Sequence, residues 1–194
     1  MRRLPFYFLV DTSTYAGTAS PVRAQELLEL FLAWLRCDPY ALETAHLCVI
    51  KFGGETRVAM PLTDICSINL SEADFSFASG LGCGLKLLAQ RLSSDLVTRS
   101  EGVAGDLKPT LFLLVESEPA GGFEVGLEQV VSFQSCNRYA FVSKAISEAT
   151  IKCLKDSGFT VGFLDCGTRD SFDLLKEAVR TSSAWSEADL CDDE

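Results

Sequence analysis

Two apolar runs constrain this chain more than anything else in it. Residues 4–10 read LPFYFLV and residues 110–115 read TLFLLV. A strand with one wet face alternates apolar and polar side chains. A strand apolar at every position is one buried on both faces, the situation of central strands in a parallel sheet covered by helices. Between and after these runs the pattern alternates. Val22, Leu27, Leu28, Leu30, Phe31, Trp34 and Leu35 recur at helical spacing over 21–36, with Pro21 suited to a first turn. Residues 47–52 (LCVIKF) form a second strand, Gly53 and Gly54 reverse the chain, and 56–60 return antiparallel to it. A loop spans 63–78, a helix 79–94, and a polar loop 95–108. After 110–115 the pattern predicts helices at 124–131, 148–155 and 171–181 and strands at 139–145 and 160–164. Such alternation demands crossovers and a mostly parallel sheet with helices on both faces. The expected fold is a three-layer α/β/α domain over 1–185, Rossmann-like, with six strands in the order 3-2-1-4-5-6 and the third antiparallel. Residues 186–194 form an acidic tail, expected to fray.

Composition narrows the function. At 194 residues and 47% hydrophobic the chain can bury about 70% of its extended surface in one core. A net charge of −10 opposes a nucleic-acid partner. Eight cysteines are scattered along the chain, several inside apolar runs and with no CxxC pair, and His46 is the only histidine. A zinc site of Cys and His is not expected. The short apolar stretch after Met1, Arg2 and Arg3 does not make a secretory leader, and no segment reaches the roughly 18–20 apolar residues of a membrane span. The expectation is a cytoplasmic protein with free thiols.

In sheets of this kind ligands collect at the carboxyl ends of the strands. Three segments are placed there: Asp11-Thr12-Ser13-Thr14-Tyr15 after the first strand, Ser79-Gly80-Leu81-Gly82 at a helix start, and Glu116-Ser117-Glu118-Pro119 after the central strand. Carboxylates and hydroxyls meeting at one edge suit a hard cation such as Mg²⁺, Mn²⁺ or Ca²⁺. The other reading is that Asp11 and Ser13 cap their own turn through local hydrogen bonds.

This pattern resembles the metal-ion-dependent adhesion site (MIDAS) of von Willebrand factor A domains. The stretches RRLPFYFLVDTS, RCDPY followed by ALET, and PLTDI look like the tellurium-resistance TerY group in particular. The likeness runs from Arg2 to about Val179 and is specific mainly in its first third. It implies metal ligands at Asp11, Ser13, Ser79 and Glu116. Four positions depart from the family pattern. Tyr15 stands where the family has a second serine, Ser79 where it has threonine, Glu116 where it has aspartate, and Ser117 where it has glycine. The likeness also implies a non-enzymatic scaffold or adaptor that binds a protein partner through Tyr15, Asp74 and Glu118. Its setting would be a stress-response or phosphorylation-linked system alongside kinases or phosphatases, with no nucleic acid and no membrane.

Other features have plainer readings. Gly80, Gly82 and Gly84 follow no convincing strand, so close helix packing is expected there rather than a nucleotide. Asp11 after an apolar strand also fits a haloacid-dehalogenase-like or receiver-like phosphotransfer domain. Ser13 occupies the position of the second aspartate, which removes the general acid. His46 lacks a nucleophile elbow. Phe75 and Phe77 are expected to fold over the core.

Overall fold

Both apolar runs lie at the middle of a sheet. The computed structural model describes residues 2–12, 20–54, 56–70, 78–119, 121–164 and 168–181, without the side chains of 20–24, 53, 54, 78, 79, 168, 169 and 181. In chain order the first elements are β1 (Leu4–Asp11), α1 (Ser20–Leu35), α2 (Pro39–Thr44), β2 (Ala45–Gly54), β3 (Arg57–Asp64) and β4 (Ala78–Ser79). Next come α3 (Leu81–Asp95), β5 (Thr110–Val115), α4 (Phe123–Val131), β6 (Asn137–Val142), α5 (Glu148–Asp156), β7 (Thr160–Phe163) and α6 (Thr168–Thr181). The sheet order is β3-β2-β1-β5-β6-β7, with β4 paired to β2 off this path. Setting β4 aside, this is the expected order. β1 runs parallel to β2 and β5, and β3 is antiparallel to β2.

Every residue of β1 and β5 is buried. The two faces of the sheet hold separate cores. Leu4, Phe6, Phe8 and Val10 meet Leu28, Phe31 and Leu35 of α1 and Leu175 and Val179 of α6. Tyr7 and Leu9 meet Leu81, Leu85 and Leu88 of α3, with Leu127 of α4 and Leu154 of α5. In the first core Phe31 packs edge-to-face on both Phe8 and Phe112, and Phe8 and Phe112 meet tilted with centroids 4.7 Å apart.

Local signals shift several boundaries. The helix expected from Ser79 starts at Leu81, because Gly80 is its N-cap with an extended backbone (ψ 157) and Ser79 pairs with Gly53 in β4. The strand expected to reach residue 145 stops at Val142, where Ser143 opens a turn: its carbonyl accepts from Ile146 N and its Oγ from Ala145 N. Two short helices lie outside the expected pattern. In α2 the Asp38 carboxylate caps Ala41 N at 3.0 Å and Pro39 fills the first turn. A 3-10 turn at Ile65–Ser67 is capped by Asp64. Arg36 staples it to α1 by donating to Ile65 O and Ile68 O. The RCDPY and PLTDI stretches therefore touch each other.

The glycine run serves packing. A Cβ on Gly82 would lie 2.5 Å from the Gly122 carbonyl carbon, and one on Gly126 2.7 Å from Gly82 O. α3 and α4 are pressed backbone to backbone at this point. Among the described residues no helix is long and apolar enough to cross a membrane.

Candidate functional site

The carboxyl ends of β1, β2 and β5 form one rim. Asp11 closes β1 opposite Phe52 of β2, and Val10 lies opposite Leu114 of β5. That register brings the chain after β5 directly over Asp11. The Asp11 carboxylate is 1% exposed. Its Oδ2 accepts from Glu116 N at 3.1 Å, Ser117 N at 2.9 Å and Ser117 Oγ at 2.7 Å. Thr12 ties the same corner to β2, its N–H and Oγ1 both donating to Phe52 O at 2.8 and 3.0 Å. One step farther along β2, Gly53 pairs with Ser79. The backbones of Asp11, Ser79 and Glu116 thus share an edge. Ser13, Tyr15 and Asp74 lie outside the described residues, as do the side chain of Ser79, the aromatic pair Phe75 and Phe77, and the acidic tail.

Glu118 stands at the same rim and turns to α5. Its Oε2 accepts from Ser147 N at 2.9 Å, and its Oε1 from Ser147 Oγ at 2.7 Å and Thr150 Oγ1 at 2.5 Å. Ser147 is itself the N-cap of α5, accepting from Thr150 N. Partial burial opposes the Glu118 charge, but the hydrogen bonds from Thr150 and Ser147 outweigh it and hold the carboxyl below its ordinary value. The helix N-terminus favours the same charge. Sequence reasoning met Ser117 only as a departure from the family glycine and did not single out Ser147 or Thr150. A serine-x-x-threonine spacing before a helix signals the cap, while the acid that reaches it from 29 residues away leaves no local trace.

His46 is half-buried at the start of β2, on the opposite edge from Asp11, with Nδ1 3.0 Å from Thr44 O. It has no part in the rim.

The donor set limits what Asp11 can do. Oδ2 already takes three N–H and O–H donors, so an ion ligated there would cost all three hydrogen bonds. Among the described residues no three His, Cys, Asp or Glu side chains group as metal ligands. These residues fit an internal lock at Oδ2 and do not fit direct ligation by that oxygen. A phosphoryl-accepting carboxylate must also reach its substrate, and at 1% exposure Asp11 does not.

Sheet order, one antiparallel edge strand, helices on both faces and an oxygen-bearing corner at the end of β1 define the α/β fold of von Willebrand factor A domains. Solved structures bear this out. The chain is similar to a von Willebrand factor type A structure from Catenulispora acidiphila, with TM-score 0.66 and 12% identity over 91% of this chain and 43% of that one. It is similar to the conserved hypothetical protein BatB from Bacteroides thetaiotaomicron, with TM-score 0.59 and 12% identity over 92% of this chain and 100% of that one. It is also similar to proximal thread matrix protein 1 from the mussel byssus, solved with a zinc-occupied MIDAS motif. There the TM-score is 0.60 and the identity 12%, over 92% of this chain and 47% of that one. At these identities the likeness is one of fold. The chain spans less than half the length of the first and third of these structures. No protein-family model and no curated protein sequence matches it.

Proposed function

We propose that this chain is a non-enzymatic scaffold or adaptor of TerY type whose rim loops bind a partner protein, a kinase or phosphatase component of a stress-response system. One observation carries the reading: the acid best placed for chemistry is buried and spent on holding the rim in shape. A rim whose corner at Asp11, Glu116 and Ser117 is already fixed need not order that corner on contact, which lowers the ordering cost of binding; Tyr15 and Asp74 are the residues assigned to the partner. A photo-crosslinking residue at position 15 should capture a partner that the same residue at Lys152, on α5, does not. The reading fails if the two positions capture the same proteins equally.

A second reading is favoured by the zinc-occupied site of the mussel protein. In it Asp11, Ser13, Ser79 and Glu116 hold a divalent ion that completes the partner contact. The two readings differ in one measurement. Chelation with EDTA leaves the position-15 crosslink intact on the first reading and abolishes it on the second. A thermal shift with millimolar Mg²⁺, Mn²⁺ or Ca²⁺ that disappears in Asp11→Ala would likewise favour the ion, since a ligand bound only by the folded state raises its stability.

A further inference from the structure

The edge opposite the rim carries a small cationic cavity. The loop between α3 and β5 folds back as a tight hairpin, with Ser100 and Val103 exchanging backbone hydrogen bonds at 3.2 and 3.0 Å and Gly102 at its tip with φ +77. Asp106 N closes its base on Val97 O. Between this hairpin and the start of β1 lies a cavity of about 220 Å³, lined by Arg2, Arg99, Ser100, Gly102, Val103, Ala104 and Gly105. No carboxylate lines it, in a chain whose net charge is −10.

The two arginines are differently employed. Arg2 is oriented by the hairpin: its Nε donates to Gly105 O at 3.0 Å and its Nη2 reaches Asp106 O at 3.5 Å. Nη1 remains for a ligand. Arg99 makes no side-chain hydrogen bond or ion pair among the described residues. It is exposed, and nothing among the described residues pairs with its charge. Gly105 lets the loop close against the Arg99 backbone, since a Cβ there would lie 2.5 Å from Arg99 N, while its own carbonyl accepts from Arg2. The N–H groups of Gly102, Ala104 and Gly105 also lack an acceptor among the described residues.

The nearby acids are engaged elsewhere or lie outside the cavity lining. Asp106 is taken by Arg3, at 2.8 and 2.7 Å, and by Val97 N at 2.8 Å. Asp95 pairs with Arg91 at 2.6 Å. Glu101 is exposed at the hairpin tip and does not line the cavity, and Lys108 adds another cation on the same loop. Two arginines among the residues lining one cavity match a dianion with several acceptor oxygens better than a single carboxylate.

We propose that this cavity is a binding site for a phosphate monoester or free phosphate, held between Arg2 and Arg99. It lies away from the rim and stands or falls independently of the partner reading.

The test is a calorimetric titration of the full chain at constant ionic strength with inorganic phosphate, O-phosphoserine and acetate. The expected result is saturable binding of phosphate or phosphoserine, no binding of acetate, and at least a tenfold loss of affinity in Arg99→Gln. Arg99 makes no side-chain bond among the described residues, so this variant is expected to keep the fold, checked by circular dichroism. Arg2→Gln, checked for folding by circular dichroism, should lose affinity similarly. Tighter binding of phosphoserine than of phosphate assigns the site to a phosphorylated side chain or small ester; the reverse order assigns it to the free ion. Equal binding by Arg99→Gln and the native chain, or no saturation with either phosphate compound at about 10 mM, overturns the proposal.

Discussion

Asp11 shows how one carboxylate oxygen can fix the edge of a sheet. Three donors from a single dipeptide, Glu116-Ser117, converge on Oδ2. Replacing Asp11 by Ala strands the two backbone N–H groups, at about 1–3 kcal/mol for each that stays dry. Replacing Ser117 by Ala removes only the hydroxyl, about 1 kcal/mol. Urea unfolding should rank the variants in that order with unchanged slope. A native-like midpoint for Asp11→Ala would sink the lock. The position of Asp11 was legible, because a polar residue ending a doubly buried strand must face the sheet's edge. The role of Ser117 was not. It depends on β1 lying beside β5 in one register, and that is a property of the assembled sheet rather than of either segment.

At the level of elements, α5 and the α3–α4 pair are held by different devices. Glu118 caps α5 from another part of the chain. Its carboxyl titrates below its ordinary value of 4.5 in the folded protein. Its stabilising contribution is therefore complete above that value and is lost as pH falls through the depressed one. Glu118→Gln should remove this part of the acid-side decline in stability, seen as a smaller difference between unfolding midpoints at pH 6 and pH 3.5. An unchanged difference would place the acid sensitivity elsewhere. α3 and α4 instead meet through bare backbone. Gly82→Ala forces a Cβ against the Gly122 carbonyl and Phe123 N, neither of which is a flexible side-chain end. Overpacking of this kind costs about 1–3 kcal/mol, readable as a lowered melting temperature. The glycine spacing was open to a nucleotide reading in the sequence, and the approach of α4 identifies it as packing. Helix α2 escaped the apolar pattern for a simpler reason: six residues are too few to show a helical period, and only its Asp-Pro cap announces it.

Across the whole molecule, the doubly buried runs made the sheet readable before anything else, since no other arrangement hides LPFYFLV and TLFLLV on both faces. The rim was readable only as far as its order of strands. The same double burial makes the thiols report on global opening. Cys48 lies in β2 between β1 and β3, 0% exposed, and burial pushes its thiol up to about 12. Cys136 is buried and also raised, chiefly by burial. Cys37, Cys66 and Cys83 are exposed. Alkylation requires the thiolate and access to it, so iodoacetamide at pH 8 should label Cys37, Cys66 and Cys83 in the native state. Cys48 can react only when the sheet opens. A domain stable by about 5 kcal/mol opens less than one time in a thousand. Cys48 labelling in native protein should therefore be at least about a thousandfold slower than in urea, and Ser117→Ala should speed it by the factor its stability loss sets. Mass mapping of the labelled peptides decides it: labelling of Cys48 as fast as Cys83 would mean that β2 is not closed between its neighbours, and the two-faced core would go with it.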